Sequence, residues 1–264
     1  MIRLLLVDVA NVVMRCAFGG DVPPERAVPT AIGMVRRAAQ RADATHLIAC
    51  YDSPGSTWRR TEFAEYKANR KVSTLPFLLL AEREMAALGW YGAASYAFEA
   101  DDVIATLAHR AVKSGADVVV LSSDSDLLAL LALARVRVAA PASGGVEWRD
   151  AAFVRKKYGV EPAQLADLKA LTGEPGDNVP GVPGIGPKKG VALLAGFGGL
   201  EALLTQPPVS RDHAKVREHA ADARRALRLV TLRTDATIPT IAPATCALPS
   251  YTPDRTAHHE ARSA

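Results

Sequence analysis

Four short apolar runs, Arg3 to Val9, Thr45 to Tyr51, Asp117 to Ser123 and Val136 to Ala140, are rich in Val, Leu and Ile and bounded by charged or small residues. That is the pattern of strands buried on both faces of a parallel sheet. Between them lie helical stretches. The clearest opens at Glu99, where Ala100, Val103, Ile104, Leu107, Ala108 and Ala111 recur at i, i+3, i+4, i+7, i+8 and i+11, one apolar stripe facing a sheet. Strands alternating with helices predict an α/β domain over residues 1–150, a parallel sheet flanked by helices. From Ala151 the strand-like runs stop, and residues 151–242 read as a smaller helical subdomain, basic from Arg155-Lys156-Lys157 to Arg228. At its centre, Gly181-Val-Pro-Gly-Ile-Gly-Pro-Lys-Lys-Gly190 holds too many glycines and prolines for a helix and predicts a tight turn before Lys188. Residues 243–264 lack periodicity and are expected to form a disordered tail.

Composition narrows the class. The 264 residues are 49% hydrophobic and 23% charged, an ordinary globular balance. Cys16, Cys50 and Cys246 are far apart and odd in number, so they form neither a disulfide framework nor a CxxC metal pair, which fits the reducing cytoplasm. The apolar runs Leu4 to Val7, Val118 to Leu121 and Leu127 to Leu133 fall short of the roughly 18 residues a membrane span needs, so no membrane partner is expected.

The acidic residues carry the chemistry. Asp8 ends the first predicted strand, Asp52 follows the second, and Asp124 and Asp126 follow the third. In an open parallel sheet ligands bind beyond the carboxyl ends of the strands, so these positions converge on one edge. Glu99, Asp101 and Asp102 join them at the start of a helix, where the dipole favours negative charge. Glu174 and Asp177 open the glycine-rich region. Gathering such carboxylates without compensation would cost several kcal/mol, so a cation is required. All-oxygen donors select hard ions, Mg²⁺ or Mn²⁺, and two of them would serve an in-line displacement at phosphorus. Lys and Arg (32) exceed Asp and Glu (28), for a net charge of +4. With nine acids drawn into a cleft, the exterior is more basic than that figure and suits a polyanionic backbone. The pattern is that of a metal-dependent phosphodiesterase. A Walker A loop is excluded because Pro187 precedes Lys188 and no Ser or Thr follows Lys189, and neither HExxH nor GxSxG occurs.

Val-Asp8, Tyr-Asp52, Tyr66-Lys-Ala-Asn-Arg70, Glu99-Ala-Asp-Asp102, Ser-Ser-Asp-Ser-Asp126 and Gly173-Glu-Pro-Gly-Asp-Asn-Val-Pro-Gly-Val-Pro-Gly-Ile-Gly186 follow one another in the order seen in 5′ nucleases. From about Ile2 to about Thr240 the chain resembles the flap endonuclease family, in particular the 5′-3′ exonuclease domain at the N-terminus of bacterial DNA polymerase I and its free-standing relatives. The resemblance implies a PIN-like α/β domain with two metal ions, followed by a helix-three-turn-helix region that binds duplex DNA. It implies Asp8, Asp52, Glu99 and Asp101 as ligands of the first ion, and Asp124, Asp126 and Asp177 as ligands of the second, with Asp101 between. Asp102 is a ligand or supports one. Glu174 stands where the family usually has Asp, and its extra methylene moves the carboxylate by roughly 1.3 to 1.5 Å, weakening the second ion's hold.

Tyr66, Lys67 and Arg70 match the family's basic motif at the foot of a helical arch. On one helix face, Lys67 and Arg70 would hold the scissile phosphate. Arg59 and Arg60 are further candidate phosphate contacts. The charge-poor stretch Val72 to Leu80 implies a short or apolar arch. The glycines of the turn, Gly181, Gly184 and Gly186, let backbone N–H groups approach a phosphate beside Lys188 and Lys189, and the resemblance extends to a K⁺ ion in this helix-hairpin-helix loop. The expected activity is cleavage of DNA at 5′ flaps, nicks or free ends in replication and repair, by a monomer that would serve a DNA polymerase in trans. Two rivals stand beside it: a structure-specific DNA-binding protein with weak or no catalysis, and a PIN-type ribonuclease.

Overall fold

Leu4, Leu5, Leu6 and Val7 are all buried because β1 (Arg3–Asp8) lies at the centre of a sheet covered on both faces. The computed structural model describes residues 1–17, 22–69, 74–142 and 145–248. Among these the sheet has six strands, β1, β2 (His46–Cys50), β3 (Tyr91–Ala93), β4 (Asp117–Leu121), β5 (Val136–Ala142) and β6 (Gly145–Arg149), in the order β3-β2-β1-β4-β5-β6. The first five are parallel and β6 runs antiparallel to β5. Alternation sorts each strand between two cores: Leu4, Leu6, Val118 and Val120 face one, Leu5, Val7, Val119 and Leu121 the other.

The second of these cores is covered by α1 (Val9–Cys16), α2 (Pro24–Arg41) and α4 (Leu75–Ala87). Between α2 and α4 in sequence lies the short α3 (Trp58–Glu62). The first core holds α5 (Ala100–Lys113), whose Val103, Ile104, Leu107 and Ala108 are buried as the stripe predicts. It continues without a break into the C-terminal helices α6 (Ala151–Tyr158), α7 (Leu165–Thr172), α8 (Pro187–Phe197), α9 (Leu200–Thr205), α10 (Arg211–Glu218) and α11 (Ala220–Val230) through Leu165, Leu171, Leu194, Leu203 and Leu229. The strand order reverses between β1 and β4. The elements following those two strands go to opposite faces of the sheet, Val9, Val12 and Val13 to one core and Leu127, Leu128 and Leu130 to the other, and the crevice lies at the strands' carboxyl ends.

Two strands were not expected. β3 is only three residues, Tyr-Gly-Ala, too short for a pattern, and β6 is an edge strand whose Val-Glu-Trp-Arg leaves charges on its open side. Residues 243–248, expected to belong to a disordered tail, are part of the fold, and residues 249–264 lie outside the described residues. Pro243–Cys246 forms a short helix, α12, and Ala247 and Leu248 bond back to His46 and Thr45 at the start of β2. The described part of the charge-poor stretch opens α4, whose Leu75 and Leu79 are exposed while Ala81 and Met85 further along lie on the sheet, and residues 70–73 lie outside the described residues.

The glycine-rich region is fixed by close backbone packing. A Cβ at Gly181 would lie 2.3 Å from the Gly173 nitrogen and 2.4 Å from the Thr172 carbonyl carbon, main-chain atoms that cannot step aside. Gly181→Ala is expected to lower stability by about 1–3 kcal/mol in urea unfolding. Gly196→Ala, on α8 with open space around it, is expected to leave stability unchanged or raise it by up to about 1 kcal/mol.

Candidate active site

Asp8 is at once the last residue of β1 and the N-cap of α1. Its Oδ1 accepts from the Asn11 N–H at 3.0 Å and its Oδ2 from Ser122 Oγ at 2.8 Å. Asn11 Oδ1 in turn accepts from both the backbone N–H and the hydroxyl of Ser123, at 2.9 and 2.8 Å, so the loops leaving β1 and β4 are stitched together. The loop holds its own acids: Ser122 Oγ accepts from the Asp124 N–H at 3.0 Å, and Asp124 Oδ1 accepts from the Asp126 N–H at 2.8 Å. Asp52 accepts from the Ala100 N–H at 2.9 Å, capping α5 from outside, while Glu99 and Asp101 sit at that helix's first turn. The carboxylates feel one another. Burial first, then Asp52 and Asp124, push the Asp8 carboxyl up to about 7 against the Asn11 and Ser122 hydrogen bonds. Burial followed by Asp124 and Asp8 drives Asp101 well above the usual carboxylate range. Asp126 rises to about 6 through burial, with Lys169 opposing and Asp124 and Asp177 adding.

Two ammonium groups stand between acids on opposite sides of the crevice. Lys67 Nζ donates to Glu99 Oε2 at 2.8 Å and lies 3.8 Å from Asp177 Oδ2. Its backbone is in the left-handed region, φ 55°, pinned by its N–H to the Asp177 carbonyl at 2.9 Å. Such strain in a non-glycine residue costs on the order of 1–3 kcal/mol and marks functional segments. Buried Tyr66 donates its hydroxyl to Glu99 Oε2 and Asp177 Oδ2, both at 3.1 Å. Burial, and Glu99 after it, push the phenol far up, so Tyr66 orients two carboxylates and takes no proton. On the other side Lys169 of α7 donates to Ser125 Oγ at 2.8 Å, to Asp126 Oδ1 and, at 2.7 Å, to Glu174 Oε2. Among the described residues no three acids, histidines or cysteines are arranged to hold a metal ion as they stand. The donor set itself is all oxygen and mostly half-buried, with Asp8 and Glu99 buried and Asp52 exposed, and its acids outnumber the two lysines among them, which is the environment a hard divalent cation fits.

Residues 3–159 match the family model for the 5′-3′ exonuclease N-terminal resolvase-like domain, and residues 160–253 match that for the 5′-3′ exonuclease C-terminal SAM fold. The chain belongs to the 5′-3′ exonuclease family. It is 34% identical over 248 residues to the flap endonuclease Xni of Aeromonas salmonicida, covering 89% of this chain and 92% of that one. It is 43% identical over 192 residues to DNA polymerase I of Chloroflexus aurantiacus, covering 69% of this chain and 20% of that one. The fold is shared with the bacteriophage T5 D15 protein co-crystallised with metal ions, at a TM-score of 0.73 and 22% identity over 88% of this chain and 90% of that one. Membership makes the chain a nuclease of the 5′-3′ exonuclease and flap endonuclease type.

Within this 5′-3′ exonuclease fold the predicted site residues divide. Asp8, Asp52, Glu99, Asp101, Asp124, Asp126, Glu174, Asp177, Tyr66 and Lys67 come together through the contacts above. Asp102 and Arg59 pair with each other beside the group, which Arg59 Nη1 touches at Glu99 Oε2, 3.2 Å away, so Asp102 supports a carboxylate instead of binding an ion, and the expectation of a phosphate contact at Arg59 is corrected. Arg59 is 3% exposed, and its Nη1 and Nη2 grip Asp102 Oδ2 and Oδ1 at 2.7 and 2.8 Å. Asp102, fully buried, also accepts from Trp58 Nε1 at 3.0 Å and the Arg233 N–H at 2.9 Å, leaving no room for an ion. Arg59 Nε further donates to the Leu229 carbonyl at 2.7 Å. The pair is a clasp joining α3, α5 and the end of α11, and Arg59 is not a phosphate contact.

The basic motif is also not a helix face: residues 64–69 form turns, as the φ of Lys67 requires, and Arg70 lies outside the described residues. Arg60 is exposed, with Nε near the Tyr66 carbonyl. Of the turn glycines, Gly181 is accounted for by packing, Gly184 has φ 76° beside Lys215 Nζ, and Gly186 caps α8. Lys188 is exposed, and Lys189 pairs with Asp212 at 2.7 Å. Sequence reasoning missed Lys169, Asn11 and Ser122. Breaking the buried clasp by Arg59→Met is expected to cost about 3–5 kcal/mol in urea unfolding, while Arg60→Met at the surface changes stability by less than about 0.5 kcal/mol. Equal effects would contradict the assignment.

The raised carboxyls set a pH dependence. A folded acid with a pKa above its ordinary 3.8 binds more protons than the unfolded chain between the two values, so stability falls as pH rises through that window. Chelator-treated protein is expected to lose melting temperature between about pH 4 and about pH 7, and Asp8→Asn to flatten that slope.

Proposed function

We propose that the chain hydrolyses DNA phosphodiester bonds at 5′ flaps, nicks or free 5′ ends, with Mg²⁺ or Mn²⁺, two ions in all, held by Asp8, Asp52, Glu99, Asp101, Asp124, Asp126, Glu174 and Asp177. The observation that carries this reading is the group of mutually repelling, buried carboxylates at the strand-order reversal, with three pushed above their usual range. Divalent ions there supply positive charge toward the phosphate and acidify the attacking water. The chain's residues do the rest. On Glu99, Arg59, Tyr66 and Lys67 all converge on Oε2, which leaves Oε1 to a cation. Asn11 and Ser122 aim Asp8 and anchor the loop carrying Asp124 and Asp126. Lys67, partly exposed at the crevice, is the nearest ammonium to take a phosphate oxygen once Glu99 and Asp177 turn to the ions.

The C-terminal helices support duplex binding. α8 opens with no side-chain cap and a proline at its first position, so the N–H groups of Lys188 and Lys189 are open to a phosphate, with the helix dipole behind them. A T5 D15 flap endonuclease variant with the same fold, at a TM-score of 0.74, is described in complex with DNA and metal ions, which favours the same reading here. The polymerase I relative carries the matched stretch as a fifth of its length, which supports a role beside a DNA polymerase. Among the described residues no helix is long and apolar enough to cross a membrane.

The test is cleavage of a labelled 5′-flap DNA. Wild type is expected to cut with Mg²⁺ or Mn²⁺ and to stop with chelator, and Asp124→Ala to lose at least about 100-fold in rate. Undiminished cutting by Asp124→Ala would remove the site from consideration. Flap binding with no cutting in either ion would leave a DNA-binding protein, and faster cutting of matched RNA would favour the ribonuclease.

A further inference from the structure

We infer that Lys169 is a resident counter-cation of the Asp126 and Glu174 carboxylates, which a divalent ion entering this side of the crevice must displace, so that Lys169 sets how tightly that side holds metal. The inference rests on the metal-dependent reading above. Lys169 projects from α7 and is 8% exposed. An ammonium has three N–H donors and no acceptor. Here all three have partners: Ser125 Oγ at 2.8 Å, Asp126 Oδ1, and Glu174 Oε2 at 2.7 Å. This ammonium thus bridges the β4 loop to the glycine-rich region and neutralises both acids. It binds one oxygen of each acid, Asp126 Oδ1 and Glu174 Oε2, and a divalent ion bridging both carboxylates would stand within a few Å of it, where two cations repel strongly.

Glu174 is part of the arrangement. Its backbone is tied to Val179 on both sides, N–H to carbonyl at 2.9 Å and carbonyl to N–H at 3.1 Å, so the side chain's reach decides what its carboxylate meets. What it meets is Lys169. The long acid and the buried base therefore make one ion pair at the place where the second metal's ligands were expected. Lys67 holds the opposite pair less firmly. It lies 2.8 Å from Glu99 but 3.8 Å from Asp177, with its side chain 17% exposed against 10% for Lys169.

The experiment compares Mn²⁺ binding by calorimetry in the DNA-free protein, wild type against Lys169→Met and Lys169→Arg. Removing one positive charge at contact distance is expected to tighten the weaker Mn²⁺ step by about tenfold or more, while Lys169→Arg keeps wild-type affinity. Unchanged affinity and stoichiometry in Lys169→Met would overturn the inference and leave the metal reading intact. No Mn²⁺ binding by any of the three proteins would overturn both. A second measurement needs no substitution: trace acetylation of wild type by acetic anhydride, read by mass spectrometry with and without saturating Mg²⁺. Displacement predicts a severalfold rise in labelling at Lys169 with Mg²⁺, and labelling that does not change would overturn it.

Discussion

Mutual repulsion among buried carboxylates is the constraint around which this molecule is arranged. Asp8, Asp101 and Asp126 each sit where burial opposes their charge and a neighbouring acid opposes it again. A fold can tolerate this only if hydrogen bonds hold the oxygens in place and positive charge is near. Both are present. Ser122, Asn11 and Tyr66 supply neutral donors directly or through the loop, and Lys67 and Lys169 supply charge. The carboxylates are thereby kept close without a ligand, at the expense of raised proton affinity. That is the condition a site needs if it is to take up hard cations and remain folded before they arrive.

The sheet makes the gathering possible. Reversal of strand order between β1 and β4 sends the chain after Asp8 and after Leu121 to opposite faces of the sheet, and α5 brings Glu99 and Asp101 to the same edge. The C-terminal helices are then tied to this edge by the Arg59–Asp102 clasp, which reaches the carbonyls of Leu229 and Thr231 and the N–H of Arg233. Arg59 also touches Glu99 at 3.2 Å. One buried guanidinium therefore links the end of α11 to an acid of the crevice. The seating of the helical part and the placement of Glu99 are therefore connected through this residue, beside the bonds from Tyr66 and Lys67 to the same carboxylate.

How far this was legible in the sequence depends on whether a property is local. β1, β2, β4 and β5 showed because a strand buried on both faces must be a continuous apolar run, and the acids at their ends were then placed by topology alone. β3 and β6 did not show, since an edge strand need not be apolar and three residues carry no period. Asp101 and Asp102 are adjacent in sequence yet about 100° apart around a helix, and only the packing against Arg59 decides that the second belongs to the clasp. Lys169 was invisible for a related reason. A single lysine in a helical stretch ordinarily faces water, and nothing in its neighbourhood announces that Asp126, 43 residues earlier, and Glu174 would close over it. The turn at residues 64–69 was read as helix because YKxxR has helical spacing, whereas the hydrogen bond from Lys67 to the Asp177 carbonyl is long-range.

The two lysines also make the crevice asymmetric. Lys67 is carried by a strained turn whose backbone is held by Asp177, so any shift of the glycine-rich region moves its ammonium as well. Lys169 rides on α7, whose Leu168 and Leu171 are buried in the core, so its Cα is fixed and only its side chain can swing. A buried aliphatic stem limits that swing to a few rotamers. The same carboxylate chemistry thus rests on a strained turn at one end and on a packed helix at the other.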